Sequence, residues 1–138
     1  MTLNLIRVAT IAGLLSVAGT SAFAQHLTGK VPFDFKVSSV TMPAGSYEFL
    51  RQDNSLAWVL RNAETGQRSM VVPAYGGVAR RVDAERDRSV LVFRCVGRTC
   101  ALASLFNAGS RDGIGFPVKL PNVTPDVQVA TLRIALSE

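Results

Sequence analysis

Short stretches of alternating apolar and polar residues, each closed by turn chemistry after about ten positions, govern what this chain can fold into. Residues 31–37 set the pattern. Val31, Phe33, Phe35 and Val37 fall on one side, Asp34 and Lys36 on the other. A period of two is that of a half-buried strand. Pro32 lacks a backbone donor, so this strand is expected to start there or to lie at a sheet edge. Met42-Pro43-Ala44-Gly45 is turn chemistry, because proline presets φ and glycine tolerates positive φ. Residues 46–51 then read as a strand with Tyr47 and Phe49 on one face, followed by a polar turn at 52–55. Residues 56–61 read as a third strand that aligns Leu56, Trp58 and Leu60. After a turn at 62–66, residues 67–72 read as a fourth, stopped by Pro73.

The second half continues in the same way. Tyr75-Gly76-Gly77 opens a long connection, and residues 79–88 (ARRVDAERDR) carry both charge signs densely, as a solvated loop does. Residues 89–96 and 99–107 are two further strands. The glycine-rich stretch 108–115 is expected to be a flexible hairpin loop, with a short strand at 116–120 after it. The tail 127–136 is open to two readings. Thr124-Pro125-Asp126 resembles a helix N-terminus, whereas Val127, Val129, Thr131 and Ile134 are β-branched and favour a strand. A strand is the expectation taken here. Strands at this spacing imply an all-β fold, a small antiparallel β-sandwich or barrel. With 48% hydrophobic side chains among 138 residues, the chain is too apolar for a disordered protein and too short for several domains.

The first 24 residues read as a signal peptide. Arg7 gives a short positive n-region, residues 8–19 are apolar, and Ala22-Phe23-Ala24 is the small-x-small pattern that signal peptidase recognises. The apolar run falls short of the roughly 20 residues that a spanning helix needs. The expected layout is a cleaved leader at 1–24 and one β-rich domain at 25–138, secreted or periplasmic, with no transmembrane anchor in the mature chain. Cleavage removes one of the 15 basic side chains, Arg7, and none of the 10 acidic ones, so the net charge falls from +5 to +4. That permits weak attraction to anionic cell-surface polymers. No Lys/Arg cluster is interleaved with stacking aromatics, so no nucleic-acid partner is expected.

Cys95 and Cys100 enclose Val96-Gly97-Arg98-Thr99. Gly97 at the first central position fits a two-residue type II′ hairpin turn. Cys95 then lies opposite Cys100 in a non-hydrogen-bonded pair, where side chains come closest. In an oxidising compartment a disulfide is expected there. The spacing is not the C-x-x-C of thioredoxin-like redox sites. Two sulfurs and one distant histidine also fall short of a four-ligand zinc site, so no metal or cofactor is expected.

Catalytic chemistry finds little support. His26, the single histidine, sits beside the expected new N-terminus and reads as a solvated tail residue. Asp83, Glu85 and Asp87 alternate as calcium ligands can, but four arginines surround them and the EF-hand glycine and terminal glutamate are missing. Asp34 and Glu48, both on outward strand faces, are the one carboxylate pair that could serve a glycosidase-like hydrolase. Trp58 and Tyr75 are the weak candidates for ligand contact. For Trp58 core packing is the simpler role, and for Tyr75, beside Gly76-Gly77, packing over a turn.

The segments Val31-Pro32-Phe33-Asp34-Phe35 and Met42-Pro43-Ala44-Gly45-Ser46-Tyr47 resemble the opening of an uncharacterised family of small secreted bacterial β-rich proteins, with VPFDF-like and LPAGxY-like motifs. Met42 stands where that pattern has leucine. Val90-Leu91-Val92-Phe93-Arg94 and the Cys95–Cys100 hairpin are similar too, so the likeness covers about half of the chain beyond the leader. It implies an exported β-rich domain and carries over no catalytic residue. The resulting expectation is a non-enzymatic domain, binding or structural, in the cell envelope. Its partner would be an envelope protein or glycan, contacted through an edge such as residues 31–37. The alternative is a small secreted hydrolase using Asp34 and Glu48.

Overall fold

The structure is a computed structural model that describes residues 26–52, 55–74, 77–80, 87–121 and 124–138. The expected leader, Tyr75, Asp83 and Glu85 lie outside the described residues. In chain order the strands are β1 (His26–Val31), β2 (Phe35–Val37), β3 (Val40–Met42), β4 (Gly45–Arg51), β5 (Trp58–Asn62) and β6 (Arg68–Val71). They continue with β7 (Val78–Arg80), β8 (Ser89–Val96), β9 (Thr99–Phe106), β10 (Asp112–Gly115) and β11 (Val129–Leu136). No helix occurs among the described residues, so the fold is all-β.

These strands make two open sheets. The first has the order β1-β4-β5-β6 and is antiparallel throughout. The second has the order β11-β8-β9-β10-β7, with β2 attached to β9 and β3 to β2. Neither closes into a barrel. One pairing departs from the antiparallel expectation, since β2 runs parallel to the start of β9, with Phe35 beside Cys100. One hydrophobic core is shared by both sheets, with Leu27, Phe49 and Leu60 from the first and Phe93, Leu102 and Leu105 from the second.

Residues 31–37 are therefore not one strand. Val31 ends β1 opposite Gly45 in the first sheet, and Phe35 begins β2 in the second. Pro32-Phe33-Asp34 carries the chain across. Pro32 cannot donate to a ladder, which is why pairing stops there. The alternation survives the crossing: Val31, Phe35 and Val37 are buried and Phe33 is half-buried. Both sheets line the same core, so a chain that changes sheet keeps its inward face. Nor is the segment a free edge, because β2 is paired on both sides, by β3 and β9. Asp34 fixes the crossing by accepting a hydrogen bond at 2.8 Å from the Ala44 backbone N–H.

Phe35 is the centre of the aromatic packing. Its ring lies 5.1 Å from that of Tyr47 in the first sheet and 5.1 Å from that of Phe93 in the second, both edge to face. Phe33 adds a third edge contact onto Phe93 at 5.2 Å. Such geometry contributes about 0.5–1.5 kcal/mol per pair beyond burial. The Tyr47 hydroxyl donates to the Pro43 carbonyl, which locks the turn that leads into its own strand. Burial raises the pKa of this phenol above 10.0. The carboxylates of Asp34 and Glu64 reinforce the shift and the Asn62 side chain opposes it.

Four local expectations are corrected. Leu56 is 74% exposed and lies before β5, so only Trp58 and Leu60 share the inward face. The glycine-rich stretch contains a strand, β10, rather than only a loop. Residues 116–120 form no strand; Phe116 N–H reaches Ala103 O at 2.8 Å, and Pro117 has no donor to continue. Residues 78–80, at the start of the charged stretch, pair with β10 as β7. The tail is a strand as expected, and Thr124-Pro125-Asp126-Val127 is a turn closed by Val127 N–H to Thr124 O at 2.9 Å.

Along one side the sheets meet. Thr28 of β1 and Ser137, just past β11, exchange two backbone hydrogen bonds of 2.7 and 2.9 Å. A Cβ on Gly29 would sit 2.4 Å from the Leu136 Cδ2, so glycine leaves room for that side chain between the two edges.

Two outcomes follow for stability. Phe93→Ala removes a fully buried ring and is expected to cost about 3–5 kcal/mol, whereas Leu56→Ala should stay within about 0.5 kcal/mol; urea denaturation measures both. Tyr47 keeps its proton to higher pH when folded than the free phenol does. The folded chain thus binds more protons than the unfolded chain above about pH 10, so stability is level below that value and falls as pH rises through the folded-state pKa. Tyr47→Phe should abolish this alkaline loss while costing about 1 kcal/mol at neutral pH for the lost hydrogen bond. Denaturation curves across the alkaline range decide it.

Candidate functional site

The outer face of the second sheet carries a cleft. Its floor is built by register. Arg94 of β8 lies between Thr131 of β11 and Ala101 of β9, and Val92 lies between Arg133 and Ser104. Phe106 pairs with Val90. Both β8 and β9 are apolar on two faces, and Val90, Ala101, Ser104 and Phe106 are buried although they point away from the core. A strand buried on both sides reads as a nearly continuous apolar run. Residues 90–93 and 101–106 are such runs, the one signal in the sequence that something covers this face.

Beside this face run Ala74, Gly77 and the segment after β10: half-buried Val118 lines the cleft, and Phe116 borders it while its side chain joins the shared core. Glycines make the close packing here possible. A Cβ on Gly113 would lie 2.4 Å from the Phe106 ring and 2.7 Å from the Leu105 carbonyl. A Cβ on Gly77 would lie 2.8 Å from the Gly115 carbonyl, while the real backbones bond there at 2.7 Å, Gly115 N–H to Gly77 O. What remains open is a cleft of about 510 Å³, within the roughly 300–1,000 Å³ of small-ligand sites.

Its charge is one-sided. Arg94 from β8 and Arg133 from β11 project on this face, Arg80 of β7 borders the cleft, and among the described residues no aspartate or glutamate lines it. All three arginines are exposed. The one salt bridge found among the described residues is elsewhere, between Arg61 and Glu48 at 3.5 Å. Arg94 and Arg133 occupy diagonal positions on neighbouring antiparallel strands, a separation of about 7–8 Å. Arg80 stands opposite Asp112 in the β7–β10 register, so the Arg94–Arg133 end is the more strongly positive. Sequence reasoning missed this set. Its members lie at positions 80, 94 and 133, and the strand order alone gathers them.

The residues singled out from sequence fall elsewhere. Trp58 is 1% exposed and packs on Phe49 at 6.4 Å, so it offers no face to a ligand and takes the core role. His26 is exposed but is the first residue of β1, paired with Leu50, rather than part of a loose tail. Asp34 binds the Ala44 N–H and Glu48 binds Arg61. Glu48 lines a second cleft, of about 670 Å³, at the β1–β4 face, with Lys30 and Arg88; Asp34 lines neither cleft. Among the described residues no group of three or more His, Cys, Asp or Glu gathers to hold a metal.

Cys95 and Cys100 are bonded, at the expected hairpin, with their Cα atoms 4.0 Å apart. Gly97 has φ of 59° and Arg98 does not have positive φ, the pattern of a type II′ turn. The bridge fixes the register of the β8–β9 pair that carries Arg94. Comparison with family models, curated proteins and solved structures finds no match. The site is therefore read from its own chemistry.

Reducing the bridge, or replacing both cysteines with alanine, should lower stability by about 2 kcal/mol for so short a loop and leave the sheet intact. Guanidinium denaturation with and without reductant, alongside circular dichroism, measures this.

Proposed function

We propose that the chain is an exported, non-enzymatic β-sandwich domain that binds a component of the cell envelope in the cleft on its second sheet. The observation that carries the reading is the cleft itself: an apolar floor with Arg94 and Arg133 over it and Arg80 at its border, and, among the described residues, no acidic lining residue. A small site with convergent polar groups over an apolar floor is the usual form of a binding pocket. The signal-like pattern of residues 1–24 and the Cys95–Cys100 bridge together support an oxidising compartment outside the cytoplasm. No helix among the described residues is long and apolar enough to cross a membrane. The resemblance of residues 31–35 and 42–47 to secreted β-rich proteins supports the same address. The hydrolase alternative needs Asp34 and Glu48 in one cleft, and the two carboxylates are engaged in separate structural bonds.

Cell fractionation tests the address and envelope binding together. The protein should be recovered outside the cytoplasm, starting at Gln25 and without free thiols, and it should be retained on isolated envelope material. Thr131→Trp, which places an indole on the exposed floor strand, should abolish retention without unfolding the chain. Recovery from the cytosol with residues 1–24 attached and both thiols free would sink the reading.

A further inference from the structure

We infer that the ligand of this cleft is an anionic glycan, a sugar chain bearing carboxylate or phosphate groups. The inference rests on the binding reading above and names the chemistry of its occupant.

Charge comes first. Arg94 and Arg133 sit diagonally at one end of the cleft, with no acidic residue lining it and no ion pair to either among the described residues. Two arginines at diagonal positions, about 7–8 Å apart at the backbone, can each hold a carboxylate or phosphate in a bidentate fork. Without a ligand, the two like charges repel. Arg80 lies at the far end, on β7, four strand spacings from β11. That span is roughly 19 Å at the usual spacing between strands. A single small anion fills one end only, whereas a sugar chain with anionic groups at intervals can run along the cleft from the Arg94–Arg133 end toward β7.

The floor argues for sugar rather than peptide. Across β8 and β9 it is the side-chain face of a sheet whose backbone N–H and C=O groups lie in the plane of the sheet and are already paired between strands, and of β8, β9 and β11 only β11 has an outer edge. An extended acidic peptide laid on it would find few partners for its own backbone groups, which are costly to leave unpaired. Peptides that join sheets do so at an edge. A glycan carries hydroxyls that stay solvated on the open side, and its apolar ring faces can rest on Val92 and Val118. Thr131, at the rim beside Arg94, offers a hydroxyl to the sugar.

Calorimetric titration of the oxidised, processed protein tests this with five probes. They are a short galacturonate oligomer, dextran phosphate, neutral dextran, free galacturonate and polyglutamate. Binding of the galacturonate oligomer or of dextran phosphate is expected, weakening as salt rises, with no measurable binding of neutral dextran or of the monomer. Arg94→Gln and Arg133→Gln should each weaken binding about tenfold, the loss of one charge-assisted contact. Arg98→Gln, at the hairpin tip outside the cleft, should leave it unchanged. Arg94→Lys should retain part of the affinity, since it keeps the charge and loses the fork. All four substitutions are at surface positions, and unchanged thermal melting shows that each variant folds.

Failure to bind either anionic glycan overturns the inference, as does equal binding of neutral dextran or indifference to Arg94→Gln and Arg133→Gln. Tighter binding of polyglutamate through the same arginines assigns the cleft to an acidic peptide and overturns it too. In each case the envelope-retention assay reports separately. Retention that persists leaves the binding domain standing with a different ligand, and retention that is absent removes both.

Discussion

The structure depends on one crossing. At Pro32-Phe33-Asp34 the chain leaves the first sheet and enters the second, and Phe35 arrives between them with its ring against Tyr47 on one side and Phe93 on the other. The two sheets meet elsewhere through ordinary apolar contact and the Thr28–Ser137 bridge. At Phe35 one strand belongs by pairing to the second sheet and by ring contact to both. The parallel pairing of β2 with β9 sets Phe35 beside Cys100, so the disulfide hairpin and the aromatic cluster are held in one frame. Tyr47 ties the turn at Pro43 into that frame through its hydroxyl.

The far side of the second sheet gives the molecule its recess. Sheets of this size are often solvated on their outer face. Here β8 and β9 are apolar outward as well as inward, and the segment carrying Val118 borders part of that surface. The cleft extends from that segment to β11. Gly113 admits the Phe106 ring, and Gly77 admits the Gly115 backbone, where a side chain would clash. Gly113 is thus both a close-packing position and one of the glycines that make this stretch of sequence look like a loop.

Inward-facing alternation was readable wherever a strand kept its pairing for several residues. The bounds of β8 coincide with the expected segment, and β4 and β9 differ from theirs by one residue. The Cys95–Cys100 bridge followed from hairpin geometry, a local property of six residues. The failures have physical causes too. Val37-Ser38-Ser39-Val40 makes a two-residue hairpin with Ser38 at φ 54° and no glycine to announce it. β10 has glycines where a strand usually has branched side chains, because its packing needs space more than volume. Leu56 kept the period of β5 without its pairing, and ended exposed.

By itself the sequence determined that this chain is all-β, where most of its inward side chains lie, and which two cysteines bond. Those properties depend on neighbours a few residues apart, and a period of two or a tight turn records them. The tertiary structure alone decided that residues 31–37 serve two sheets, that Trp58 is buried in the core, and that Arg80, Arg94 and Arg133 border one cleft. Strand order joins residues far apart in the chain, and side-chain alternation carries no information about which strand will lie beside which.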